Sequence, residues 1–206
     1  MKLYTPKTPS VFPKLFKKYR WHFHSEEKVL YLTFDDGPIP EVTDFVLEQL
    51  KEYNAKATFF CIGKNVKKNP AIYSRIIAEK HAVGNHTYSH LKGWKVKTSK
   101  YLENVAKAHT YVDSKLFRPP YGKIKKKQAK ALLKKGYHII MWDVLSADFD
   151  SKITKEKCWE NVKLNTKKGS IIVFHDSLKA RENMEFVLPK VLEHFTKEGY
   201  SFKGIS

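Results

Sequence analysis

Short apolar runs alternate with helically spaced apolar positions along most of this chain, and the alternation begins at Val29. Val29–Phe34 is the first run and predicts a buried strand. Residues 41–53 follow, with Val42, Phe45, Val46 and Leu50 on one helical face. The same two periods then recur. Strands are predicted over 57–62, 81–85, 116–118, 137–144, 170–175 and 200–204. Helices are predicted over 70–79, opened by Asn69-Pro70, and over 99–113, 125–135, 154–166 and 183–197. Gly136 and Gly199 stand where two of these helices stop.

About seven strands separated by helices is the pattern of a parallel sheet built from strand–helix–strand units. A closed or nearly closed β/α barrel is the first expectation, and an open doubly wound sheet the second. Residues 1–27 lack the rhythm. They predict an N-terminal extension of short turns, with Phe12, Phe16, Tyr19 and Trp21 available to pack on a domain that begins at residue 28.

A length of 206 residues suits one core, and 42% apolar with 14% aromatic residues excludes a disordered chain. The net charge of +18 changes the picture more. It points to an anionic surface or polymer as partner. Arginine occurs only at Arg20, Arg75, Arg118 and Arg181, so the field is made by lysine. Specific nucleic-acid readers lean on arginine forks, and no specific nucleic-acid partner is expected. The runs at 125–127, 134–135 and 167–168 read as solvated faces. Two cysteines, Cys61 and Cys158, make no disulfide framework, and Cys61 sits in an apolar run as a buried thiol. Lysines at 2, 7, 14, 17 and 18 interrupt the first residues, which match neither a signal peptide nor a transmembrane segment. The expectation is a cytoplasmic protein, with non-classical export or envelope association as the other route.

In a β/α barrel the chemistry gathers at the C-terminal ends of the strands. The first predicted strand ends in Asp35-Asp36 and turns at once through Gly37-Pro38. Alone, that pair could do no more than cap the helix that follows. But the third strand runs into His86-Thr-Tyr-Ser-His90, the fourth ends at Arg118, the fifth is followed by Asp148, and the sixth ends in His175-Asp176. Two imidazoles four apart face the same way in a helix or tight turn. One carboxylate added to them gives a ligand set that leaves positions open on a divalent metal. The second carboxylate is then free to take the proton of an attacking water. Arg118 could hold such a base ionised, His175 could protonate a leaving nitrogen, and Asp148 could keep that imidazole charged.

The strings Thr33-Phe-Asp-Asp-Gly-Pro38, His86-Thr-Tyr-Ser-His90 and Arg118-Pro-Pro-Tyr-Gly122, with His175 at a strand end, stand in that order within residues 29–204. In this the chain resembles the polysaccharide deacetylases that share the NodB homology domain. The resemblance implies a distorted (β/α)7 barrel related to the TIM barrel, with a catalytic domain over residues 28–206. It implies metal-dependent hydrolysis of an N-acetyl group, or less favoured an O-acetyl group, on an acetylated glycan or oligosaccharide. By position Asp35 matches the catalytic base, and Asp36, His86 and His90 match the metal ligands, usually of Zn2+, with Co2+ or Ni2+ as alternatives. Arg118 matches the arginine that pairs with the base, the backbone N–H of Tyr121 the donor to the oxyanion, His175 the general acid and Asp148 the carboxylate that tunes it.

Two departures fall on the later motifs. Phe149 stands where the family usually has tryptophan after the aspartate, and Val173 where it usually has leucine. They imply an altered acetyl pocket in an active enzyme. Asp143 and Asp150 are alternatives to Asp148. Trp94 and Trp142 are candidate sugar-stacking surfaces, with core packing the preferred role of Trp142. Two other readings keep part of this set: a hydrolase of a small amide, and a non-catalytic glycan-binding module.

Overall fold

A computed structural model describes residues 4–206. Lys2 of the N-terminal lysine set lies outside the described residues. The strands are β1 (Val29–Asp35), β2 (Ala57–Cys61), β3 (Ala82–Asn85), β4 (Leu116–Phe117), β5 (His138–Ile139), β6 (Val144–Leu145), β7 (Ile171–His175) and β8 (Ser201–Phe202). The helices are α1 (Val11–Leu15), α2 (Val42–Glu52), α3 (Gly63–Lys68), α4 (Pro70–Ala78), α5 (Thr98–His109), α6 (Lys126–Lys134), α7 (Lys155–Lys163) and α8 (Arg181–Lys197).

Seven strands lie in the order β5-β4-β3-β2-β1-β7-β6, and every pairing is parallel. That order is a (β/α)7 barrel curled round from β5 to β6 and left open between them. The middle strands β2, β1 and β7 are buried along nearly their whole length, as strands covered on both faces must be. Phe34 stacks between Phe59 and Phe174 across these three strands, at 5.2 and 5.8 Å. Helices α2, α7 and α8 cover them with Val46, Leu47, Leu50, Val162, Val187, Leu188 and Val191. β8 pairs only with the first residues of β1 and stands outside the ring order.

The apolar run 137–144 does not form the single strand its sequence predicts. It is divided into β5, which pairs with β4, and β6, which pairs with β7. The residues between cross the open seam, so their backbone groups serve other partners. The carbonyls of Ile140 and Met141 accept hydrogen bonds from Arg118 at 3.3 and 2.9 Å, and the Met141 N–H donates to Arg20 O at 2.7 Å. The sequence also gave no sign of α3, whose glycine and lysine content hides its one buried stripe.

Residues 6–23 run over the seam as a strap. Leu145 N donates to Pro6 O, Thr8 N to Asp143 O, Arg20 N to Ile139 O and Phe23 N to Gly169 O. Asp143 is the hub, accepting from Lys7 Nζ, Ser170 Oγ and Ile171 N at 2.9 to 3.0 Å. A barrel edge without a strand neighbour is therefore closed by irregular chain.

Candidate active site

Asp35 is the last residue of β1, and Asp36 follows it with φ of 89°, outside the strand conformation. The reversal turns the two side chains apart. Asn65 Nδ2 holds the turn by donating to Asp36 O at 2.7 Å. Asp176 holds it from the other side, its Oδ1 accepting from Gly37 N at 2.9 Å and its Oδ2 from Thr43 Oγ1 at 2.7 Å. A Cβ on Gly37 would stand 1.8 Å from Asp176 Oδ2, so only glycine fits. Burial pushes the Asp176 carboxyl up to about 8, helped by Asp36 and opposed by the Thr43 and Gly37 hydrogen bonds.

Asp36, His86 and His90 bring one ligand atom each to within 4.8 Å of one another. Asp36 Oδ1 is 3.7 Å from His86 Nε2 and 3.2 Å from His90 Nε2. This oxygen is buried and accepts no hydrogen bond among the described residues, an unmet demand that a cation would satisfy. His86 Nδ1 lies 2.8 Å from Arg118 O, so its N–H donates there and leaves the Nε2 lone pair facing Asp36. Burial lowers His86 to about 4 and keeps the ring neutral, as a ligand must be. His86 and His90 meet because the segment after β3 is a tight turn, with Thr87 and His90 at φ of 66° and 54°. Two imidazole nitrogens and one carboxylate oxygen fit zinc, cobalt or nickel.

Beside this cluster, Asp35 Oδ1 accepts from Arg118 Nη1 at 2.7 Å. Arg118 is completely buried. Every side of its guanidinium is used: Thr33 Oγ1 and Asp35 at Nη1, Met141 O at Nη2, Ile140 O at Nε, and the Phe60 ring face 4.1 Å from its central carbon. Burial alone would raise the Asp35 carboxyl, but Arg118, then His86 and His175, bring it below the ordinary carboxylate value.

His175 ends β7 as the register partner of Asp35. Its Nδ1 is 2.8 Å from Asp148 Oδ1, and its backbone N–H donates to Asp148 Oδ2 at 2.7 Å. Burial disfavours the imidazolium, yet the fully buried Asp148 more than offsets this and raises His175 to about 9. The two alternative aspartates sit elsewhere. Asp143 is tied into the seam, and Asp150 is bonded to Tyr4 and the Lys152 N–H.

Phe149 meets the His175 ring edge-on at 5.0 Å and is itself met at 5.7 Å by Tyr4, so the residues just before the strap reach the wall of the site. Tyr121 has φ of 59° between Pro120 and Gly122, and its exposed ring lies 4.6 Å from that of His90. Trp94 is exposed and donates through Nε1 to Ile124 O. Trp142 is half-buried and packs against two of the core clusters, as preferred from the sequence, with its ring 5.8 Å from the Arg118 guanidinium. The sequence placed Asp176 at a strand end without a role and gave none to Asn65 or Thr33. Only Asp176 carried a signal, its position beside His175.

A family model described as polysaccharide deacetylase matches residues 23–140. A peptidoglycan-N-acetylglucosamine deacetylase of Bacillus cereus is 33% identical over 192 residues, covering 90% of this chain and 90% of that protein. Peptidoglycan-N-acetylglucosamine deacetylase PgdA of Listeria monocytogenes is 33% identical over 191 residues. That match covers 86% of this chain and 38% of PgdA, so the chain spans well under half of that relative. A crystal structure of a peptidoglycan N-acetylglucosamine deacetylase matches with a TM-score of 0.88 at 32% identity, over 96% of this chain and 95% of that one. The peptidoglycan deacetylase PdaC from Bacillus subtilis matches with a TM-score of 0.79 at 27% identity, over 87% and 89%.

Proposed function

Because the chain belongs to the polysaccharide deacetylase family, we propose that it hydrolyses the N-acetyl group of N-acetylglucosamine residues in a peptidoglycan-like glycan. The observation that carries this reading is one constellation: a two-histidine, one-aspartate cluster beside an ionised, arginine-held carboxylate and a charged histidine. A glycan-binding module needs none of these buried charges, and each is costly to bury without use.

A divalent ion held by Asp36, His86 and His90 would polarise the acyl oxygen and make water more acidic. Asp35 takes the proton as water oxygen adds to the acetyl carbon. Arg118 holds that carboxylate anionic and fixed, so the base is ready before substrate arrives. The Tyr121 N–H donates to the oxygen that gains negative charge. His175 gives its proton to the sugar nitrogen as the C–N bond breaks, leaving acetate and a free amine. Asp148 keeps the ring charged and turned with Nε2 towards the substrate.

Acetate release from N-acetylglucosamine oligomers and peptidoglycan, assayed with added Zn2+ or Co2+, is the direct test. Release from these substrates is expected, and release only from O-acetylated glycans or small amides would overturn the N-deacetylase reading.

The acid also sets a pH limit. With His175 raised to about 9, kcat/KM is expected to hold up to about pH 9 and fall above it. Asp148→Asn removes the anion that opposes burial. The fall in the pH–rate profile should then move to lower pH, with only the weaker pull of Asp36 and Asp35 left to oppose burial. Stability carries the same sign: the proton is bound more tightly in the folded state, so that contribution is full below 6.5 and lost as pH rises through about 9.

A further inference from the structure

Residues 1–25 contain no aspartate or glutamate, whereas Lys2, Lys7, Lys14, Lys17, Lys18 and Arg20 are all cations. Within the strap, α1 buries nothing: Val11 is 51% exposed, Phe12 42% and Leu15 69%. Val11 and Leu15 are four apart and Phe12 lies next to Val11, so the three make one continuous apolar surface. Lys14, Lys17 and Lys18 are exposed around it and form no salt bridge among the described residues. The surface is firmly mounted. Phe12 stacks on Trp21 at 6.3 Å, Trp21 on Tyr19 at 6.4 Å and Tyr19 on Phe16 at 5.4 Å, while Trp21 Nε1 donates to Phe16 O.

We infer that this turn docks the protein on an anionic lipid bilayer, with Lys14, Lys17 and Lys18 at the headgroups and Val11, Phe12 and Leu15 beneath them. The partner follows from the two chemistries together. Contiguous exposed aliphatic and aromatic side chains need an apolar phase. Lysines flanking them need negative charge at its boundary. A second copy of this chain would bring lysine against lysine under a net charge of +18. An acidic polymer would engage the lysines but leave Leu15, the most exposed of the three, in water. This docking is independent of the deacetylase reading.

The test is sedimentation with vesicles of phosphatidylcholine alone or with about one-third phosphatidylglycerol, using the whole chain. Binding to the mixed vesicles and not to phosphatidylcholine alone is expected, weakening as salt rises. The combined change Val11→Ser and Leu15→Ser should weaken binding by roughly tenfold or more. Both side chains are more than half exposed and Phe12 keeps its stack on Trp21, so the melting temperature and the acetate release from a soluble oligosaccharide should match the parent. Leu164→Ser, at a 74% exposed site away from the strap, should bind as the parent does. If the serine variant binds mixed vesicles as tightly as the parent, attraction is diffuse charge and the docking surface is wrong. No binding to mixed vesicles by the parent overturns it as well.

Discussion

Asp35→Asn should lower acetate release by on the order of 10³-fold while the bound metal stays at the parent level. The amide keeps an oxygen where Arg118 Nη1 now donates at 2.7 Å, so the local geometry survives. What disappears is the basicity, since asparagine cannot take a proton from water. The change has a structural cost too, because the completely buried Arg118 loses its counter-charge. Leaving one partner of a buried pair uncompensated costs about 3–5 kcal/mol, which a melting curve would report. The comparison that decides the role is therefore turnover against metal content in folded protein. Near-parent acetate release from Asp35→Asn would mean that another group is the base.

His86→Ala should act the other way, on the metal first and on turnover as a result. His86 presents Nε2 to Asp36 while its Nδ1 is fixed on Arg118 O. Removing it leaves His90 and Asp36, a pair too few to hold zinc firmly. Loss of groups that merely support ligands weakens metal affinity by about 10–100-fold, so loss of a ligand should exceed that. Metal content measured after dialysis should fall towards zero, and activity should return only at high added metal. An unchanged metal content would remove His86 from the ligand set. The two variants thus separate the neighbouring carboxylate and imidazole: one keeps metal without turnover, the other loses both.

Much of this site could be read before the fold was known, for a physical reason. Asp35-Asp36, His86 and His90 are local motifs at strand ends, and strand ends are legible from apolar runs. The barrel class followed from the same runs. What the sequence hid was long-range. The run 137–144 is apolar throughout and reads as one strand; its interruption comes from Arg118 and the strap, which claim the carbonyls of Ile140 and Met141 and the N–H of Met141. Asp176 gains its purpose from Gly37, 139 positions away. The aromatic residues of the N-terminal segment announced packing but not its address, since a seam between two strands leaves no trace in either strand's periodicity.

That address has a consequence for how the molecule is made. The strap precedes the barrel strands in the chain, yet its hydrogen bonds beyond itself go to residues 139–145 and 165–170. It must wait, cationic and rich in rings, until nearly the whole barrel has been synthesised. Its arrival fixes the Ile139 carbonyl and the Met141 N–H, on either side of Ile140, and Ile140 and Met141 supply the carbonyls that accept from Arg118. A segment made before the strands it closes is thus among the last to settle, and the backbone that completes the enclosure of the buried arginine is fixed only when it does.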